Sequence, residues 1–172
     1  MKLVRPTILF KDSFIEAATE MVAQGDGAFL KAAYDEDNFQ QYCDTVNDLA
    51  RGIGLAEGNV RETIWWMVDD SDHFVGCVSI RHELTEHLYT FGGHIGYIIA
   101  PKYRGKGYGT EILELSLPEA SALGLKKVLV TCDNTNYASV HIIEKNGGIF
   151  ENEWYNEARK VWKRRYWIDL DK

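Results

Sequence analysis

The sequence predicts a mixed α/β domain with one parallel strand–helix–strand crossover in its second half. Three observations predict it. Hydrophobic residues make up 45% of the 172, enough for one domain with a real core. Short β-branched and aromatic runs alternate with longer segments of helical spacing. A turn carrying Gly105, Gly107 and Gly109 stands between an apolar run and a helix-like one. No repeat, low-complexity tract or linker divides the chain, so residues 1–172 are expected to form a single domain.

Residues 3–9 read as a short strand that Pro6 confines to an edge or breaks. Ser13-Phe14-Ile15-Glu16 has capping-box spacing, which predicts a helix from there to about residue 24, ended by Gly25 and Gly27. Residues 35–51 give a second helix, closed by Gly52 and Gly54. Thr63 to Val68 and Phe74 to Ile80 flank the polar turn Asp69-Asp70-Ser71-Asp72 and predict a hairpin. Residues 83–92 read as a loop with short helical turns. His94 to Ala100 is a strand stopped by Pro101.

After the glycine turn a helix is expected over 108–123, with Pro118 removing one of its hydrogen bonds. Val128 to Thr131 is the next strand. The crossover over residues 94–131 makes this strand parallel to the one before it. Asn136 to Asn146 is a short helix ended by Gly147-Gly148. Ile149 to Tyr155 and Val161 to Leu170 close the chain as a hairpin. The segment Lys160 to Trp167 mixes cations with aromatics, but its alternation is that of a strand and not of a nucleic-acid patch. Trp65-Trp66 likewise reads as core and cleft wall.

The net charge of −7 lacks the basic face that broad nucleic-acid binding needs, and it suits a small cationic substrate. Cys43, Cys77 and Cys132 are far apart and odd in number, so neither a disulfide framework nor a cysteine zinc site is expected. No metal is expected. No run has signal-peptide or membrane-spanning length, which makes the cytoplasm the default compartment and a membrane partner unexpected.

The glycine turn carries the chemistry. Glycine permits positive φ, so successive backbone N–H groups can point into one concavity at a helix start, where an anion is favoured. Arg104 and Lys106 add charge at its rim. A Walker loop is absent. A dinucleotide fingerprint would need glycine at Thr110 or at Ile112, although Asp133 lies at about the right distance for a ribose contact. A nucleotide-binding domain therefore remains a competing reading.

Arg104-x-x-Gly107-x-Gly109 resembles the Q/R-x-x-G-x-G/A motif of the GNAT (GCN5-related N-acetyltransferase) family. The strand Ile95-Gly96-Tyr97-Ile98-Ile99 precedes it. The strand Val128-Leu129-Val130-Thr131 leads into Asn136-Tyr137-Ala138-Ser139, similar to the family's N-x-x-S segment. Glu144-Lys145-Asn146-Gly147-Gly148 resembles its E-K-x-G-F ending, with Gly148 in place of phenylalanine. Arg81-His82, Gly92 to Tyr97 and Arg165 to Ile168 look like a bacterial subgroup of acetyltransferases.

The resemblance implies a mostly antiparallel, twisted sheet flanked by helices, whose splayed parallel strand pair forms a cleft for acetyl-CoA. It implies that the backbone of Arg104, Gly105, Lys106, Gly107, Tyr108, Gly109 and Thr110 holds the pyrophosphate. Ile98 and Ile99 would bond pantetheine through their backbone, and Asn136 and Ser139 would contact the cofactor. The implied reaction is direct attack of an amine of a small molecule or peptide on the thioester, in a ternary complex.

That attack needs a group to accept the amine's proton, because an ammonium has no free lone pair. The candidates are His94, which titrates near neutrality, and His82, Glu83 and Asp133. In the family, many members place a tyrosine acid where this chain has Ile143; Tyr137, Tyr97 or water would substitute. Cys132 lies beside the expected thioester path and reads as core. The missing tyrosine motivates the alternative of a CoA-binding regulatory module without efficient turnover. The expected assembly is a monomer or homodimer.

Overall fold

The structure is a computed structural model that describes residues 1–26, 30, 32 and 34–171. Among these, seven strands form one sheet in the order β1-β2-β3-β4-β5-β7-β6. The strands are β1 (Lys2–Val4), β2 (Glu62–Val68), β3 (Phe74–Arg81), β4 (Ile95–Ile99), β5 (Lys127–Asp133), β6 (Ile149–Asn156) and β7 (Val161–Asp169). Only the β4–β5 pair is parallel.

Helices α1 (Lys11–Ala23) and α2 (Phe39–Asp48) cover one face. In α1 the buried positions Phe14, Ala17, Ala18 and Met21 recur at helical spacing, as do Phe39, Tyr42, Cys43 and Val46 in α2. They bury Trp66, whose ring stacks on Phe14 at a centroid distance of 4.5 Å. Helices α3 (Tyr108–Ala122) and α4 (Tyr137–Lys145) cover the other face, packing Ile112 and Ile143 over Val78, Ile80, Ile95 and Val130. The alternation of β2, β3 and β4 divides their side chains between the two cores.

Several boundaries differ from expectation. The first strand ends at Val4, and residues 8–10 form a 3₁₀ turn, because Pro6 has no amide to continue the ladder. Ser13 is not the cap of α1, which starts two residues earlier. Its hydroxyl donates to the Phe10 carbonyl and accepts from the Phe74 amide, tying α1 to β3. Gly25 follows α1 at φ +85°, while Gly27 lies outside the described residues. The segment expected as a loop at 83–92 ends in a π-helical turn, Leu88–Gly92.

In β7, Arg165 is buried at 1% exposure and not on a solvated face. It pairs with Glu151 at 2.7 Å and donates to the Tyr89 carbonyl at 3.1 Å, so it anchors the π-helical turn to the C-terminal hairpin. Trp66 is core, as expected, and Trp65 packs in the second cluster.

Candidate active site

The site is built where β4 and β5 part. Their parallel register is confined to Ile95 opposite Val130. Just before it, the His94 amide donates to the Leu129 carbonyl at 2.7 Å, and the Leu129 amide donates to His94 Nδ1 at 2.9 Å. Beyond Ile95 no pairing joins the two strands, so their facing edges are open.

The ladder to β3 decides which backbone groups face this gap. His94 accepts from the Arg81 amide and Ala100 donates to the Val75 carbonyl. Antiparallel bonding alternates, so Gly96 and Ile98 also bond β3, opposite Ser79 and Cys77. The free edge of β4 is therefore Tyr97 and Ile99. Ile98, expected to bond pantetheine through its backbone, is engaged by β3; its side chain lines the face shared with α1 and α2. Ile99 keeps a gap-facing amide, but its carbonyl accepts from Arg104 Nε at 2.8 Å.

In the glycine turn, Gly105 and Gly107 take φ +74° and +88°, with open space where a Cβ would stand. Gly109 has a different reason: a Cβ there would come within 2.5 Å of Ile142 Cδ1, so it lets α3 and α4 approach. Thr110 and Glu111 both donate to the Gly107 carbonyl as α3 begins. Tyr108 packs on Tyr103, and the Lys106 ammonium stands over the same Tyr103 ring at 5.6 Å. Arg104 is not a bare rim charge: its guanidinium also reaches Asp26 at 2.7 Å and Gln24 at 3.2 Å.

Asn136 caps α4 by accepting from the Ser139 amide at 3.0 Å. Asn136 and Ser139 line a cavity of roughly 190 Å³ with Tyr97, Thr131, Cys132 and Lys163. The Tyr97 hydroxyl is buried there beside Ser139, which opposes the rise in its pKa, but no hydrogen bond of good geometry joins them. Burial pushes its pKa up to about 12. Cys132 is also buried, its thiol raised to about 11 by desolvation, which leaves no thiolate for nucleophilic use.

On the opposite face, Ile64, Cys77, Ser79, Arg81, Gly96, Ile98 and Arg159 line a cleft of roughly 500 Å³. Gly96 belongs to this cleft and to the cavity around Tyr97. A Cβ on Gly96 would meet nothing within 4 Å, so the space beside it is open.

The residues proposed as bases are placed elsewhere or engaged. His94 is buried, and its Nδ1 lone pair is occupied by Leu129. Desolvation, then Arg81, lowers its pKa to about 4. It is a neutral staple across the strand seam and not a base facing the cleft. Glu83 is exposed and pairs with Arg61 at 3.6 Å. His82 bonds Thr63 at 2.8 Å, and desolvation lowers its pKa. Asp133 lies between Lys163 and Arg159, an ion pair to each. Tyr137 is 73% exposed at the start of α4, and Ile143, where a tyrosine acid was sought, is fully buried core.

The cleft in front of Gly96 was not foreseen from the sequence. Cys77, Ser79 and Arg81 alternate along β3 opposite Gly96 and Ile98, a period-two signal present in the sequence. Arg159 sits in the β6–β7 turn, where no local pattern marks it.

The residues that build this turn, strand pair and helix lie within a match of residues 10–149 to the family model described as "Acetyltransferase (GNAT) domain". The chain belongs to the GNAT acetyltransferase family. This acetyltransferase is 28% identical over 127 residues to YnaD of Bacillus subtilis (strain 168), named an uncharacterized N-acetyltransferase, covering 66% of this chain and 71% of YnaD.

Its fold is that of a spermidine N-acetyltransferase from Vibrio cholerae in complex with CoA and spermine: TM-score 0.68, 20% identity, 99% and 96% of the two chains. It is also that of yncA from Salmonella typhimurium with its cofactor acetyl-CoA: TM-score 0.64, 13% identity, 99% and 94%. Among the described residues no cluster of His, Cys, Asp or Glu suits a metal, and no helix is long and apolar enough to cross a membrane.

Proposed function

We propose that this acetyltransferase moves an acetyl group from acetyl-CoA to a primary amine by direct attack in a ternary complex. One observation carries the reading: Gly96 opens both to the gap behind Tyr97 and to the cleft in front of Ser79. A thioester in the gap and an amine in the cleft would meet there without a covalent enzyme intermediate.

The turn at Gly105 to Gly109 and the first amides of α3 receive the pyrophosphate. The open edge of β4 receives pantetheine, through the amides of Ile99 and Tyr97 rather than Ile98. The Tyr97 amide is placed to steady the thioester oxygen as it gains charge. Asn136 and Ser139 close the gap from the α4 side.

The proton leaves the amine on the cleft face. Ser79 lines the cleft and donates its hydroxyl to the Glu62 carboxylate. That pair forms a relay from amine to carboxylate, a role the four sequence candidates do not fill. On the other side, the Tyr97 hydroxyl, beside Ser139, protonates the leaving CoA thiolate in place of the missing tyrosine.

Calorimetry with acetyl-CoA, CoA, ATP and NAD, followed by a thiol-release screen over amines, tests the reading. Amine-dependent thiol release is the expected result. Acetyl-CoA binding without release for any amine would leave the regulatory module, and NAD binding without CoA would overturn both.

A further inference from the structure

We infer that the acceptor is an amine that also carries an anionic group, a carboxylate or a phosphate, received by Arg81, Arg159 and Lys163. The inference rests on the transfer reading of the same cleft. Beside Gly96, on the acceptor face, lies a cavity of roughly 330 Å³. Arg81, Arg159 and Lys163 line it together with His87, Asn156 and Thr131, and no carboxylate is among its described lining residues.

Three cations converge where the protein as a whole has a net charge of −7. Their compensation is thin. Asp133 alone pairs with both Arg159, at 3.6 Å, and Lys163. Glu62 lies directly across the strand pair from Arg81, lines a second cavity with it and supports its charge, while also accepting the Ser79 hydroxyl.

Arg81 is held in place by its Nη1, which donates to the Gly92 and Gly93 carbonyls at 3.2 and 2.9 Å. Those bonds neutralise none of its charge, and burial disfavours its charged form. Three cations set against two carboxylates, Glu62 and Asp133, leave positive charge over, which favours an anionic ligand, and an arginine fork binds carboxylate or phosphate in two bonds. Arg159 also lines the larger cleft with Gly96, so the anion and the attacking amine lie side by side. A polyamine such as spermine, held by the Vibrio cholerae relative, would bring like charges against these three cations.

Thiol release from acetyl-CoA is compared for amino acids, aminoalkyl phosphates, their neutral counterparts (amino acid amides and aminoalcohols) and spermidine. Expected is a kcat/KM higher by roughly tenfold or more for one of the two anionic classes, as a charge-assisted pair provides. The two anionic arms separate carboxylate from phosphate. Arg159 is in an exposed turn, so Arg159→Gln should fold, as a melting curve will show. It should raise KM for the preferred anionic acceptor by about tenfold and that of its neutral counterpart by no more than about twofold.

Equal or better turnover of neutral amines or spermidine overturns the inference and leaves the transfer reading standing. So does an anionic preference that survives both Arg159→Gln and Lys163→Gln. If acetyl-CoA binds and no amine is turned over, the transfer reading fails and this inference with it.

Discussion

The Nδ1 atom of His94 accepts a 2.9 Å hydrogen bond from the Leu129 amide, while the His94 amide donates back to the Leu129 carbonyl at 2.7 Å. One residue thus closes the seam between the parallel strands with backbone and side chain, just before they part. The neutral ring makes this bond; a protonated one has no lone pair for it.

Acid should therefore weaken the fold through His94. Its folded pKa is depressed to about 4 from a reference of 6.5, so the unfolded chain binds the proton first. The contribution is fully present above about pH 6.5 and is lost as pH falls toward 4, on the order of 2 kcal/mol after screening. Denaturant midpoints at several pH values check this. His94→Gln, which can still accept from Leu129, should flatten that part of the profile and leave the pH dependence of the rate unchanged.

The open space beside Gly96 should be sensitive to bulk. Gly96→Val puts methyl groups into space that is open now, at a strand position that tolerates them. The melting temperature should change little, while kcat/KM falls by roughly a hundredfold, the usual cost of a misplaced reactant. A folded variant with normal turnover would remove the meeting point from this site.

The glycines at 107 and 109 should fail in different ways. Gly107→Val forces a branched residue to φ +88°, costing about 1–2 kcal/mol, and obstructs the phosphate, so acetyl-CoA affinity falls. Gly109→Ala drives a methyl toward Ile142 and should cost about 1–3 kcal/mol by overpacking. Ile142→Val should restore part of that stability in the double variant, a recovery that thermal denaturation reads directly.

Tyr97→Phe removes a buried hydroxyl that makes no hydrogen bond of good geometry, with only Ser139 beside it, so stability should change little. Its kcat should drop by about tenfold, modest for a lost acid because a thiolate leaves readily. Glu62→Gln tests the other proton. It should lower kcat most toward low pH, where less free amine is present, with acetyl-CoA affinity retained. Unchanged kcat in either variant strikes that residue from the mechanism.

Most of the fold was legible because it is local. The hairpin of β2 and β3, the crossover through α3 and the capped α4 each rest on period, turn residues and a cap within a few positions. The start of α1 was misplaced because Ser13 bonds Phe74, sixty-one residues away, and a local capping rule competes poorly with that contact. Arg165 looked like a strand's wet side because its partners, Glu151 and Tyr89, come from other elements.

The sequence by itself determined the family, the glycine turn and the parallel pair, since each is written in contiguous residues whose backbone conformation they dictate. Only the tertiary structure decided which side chains have work left to do. Lone pairs and charges are consumed across strands: His94 by Leu129, Asp133 by Lys163 and Arg159, the Ile98 backbone by β3. What remains over, a Tyr97 hydroxyl with no well-formed hydrogen bond and three cations set against only Asp133 and Glu62, is where the proposed site lies, because a polar group or charge short of partners favours a ligand.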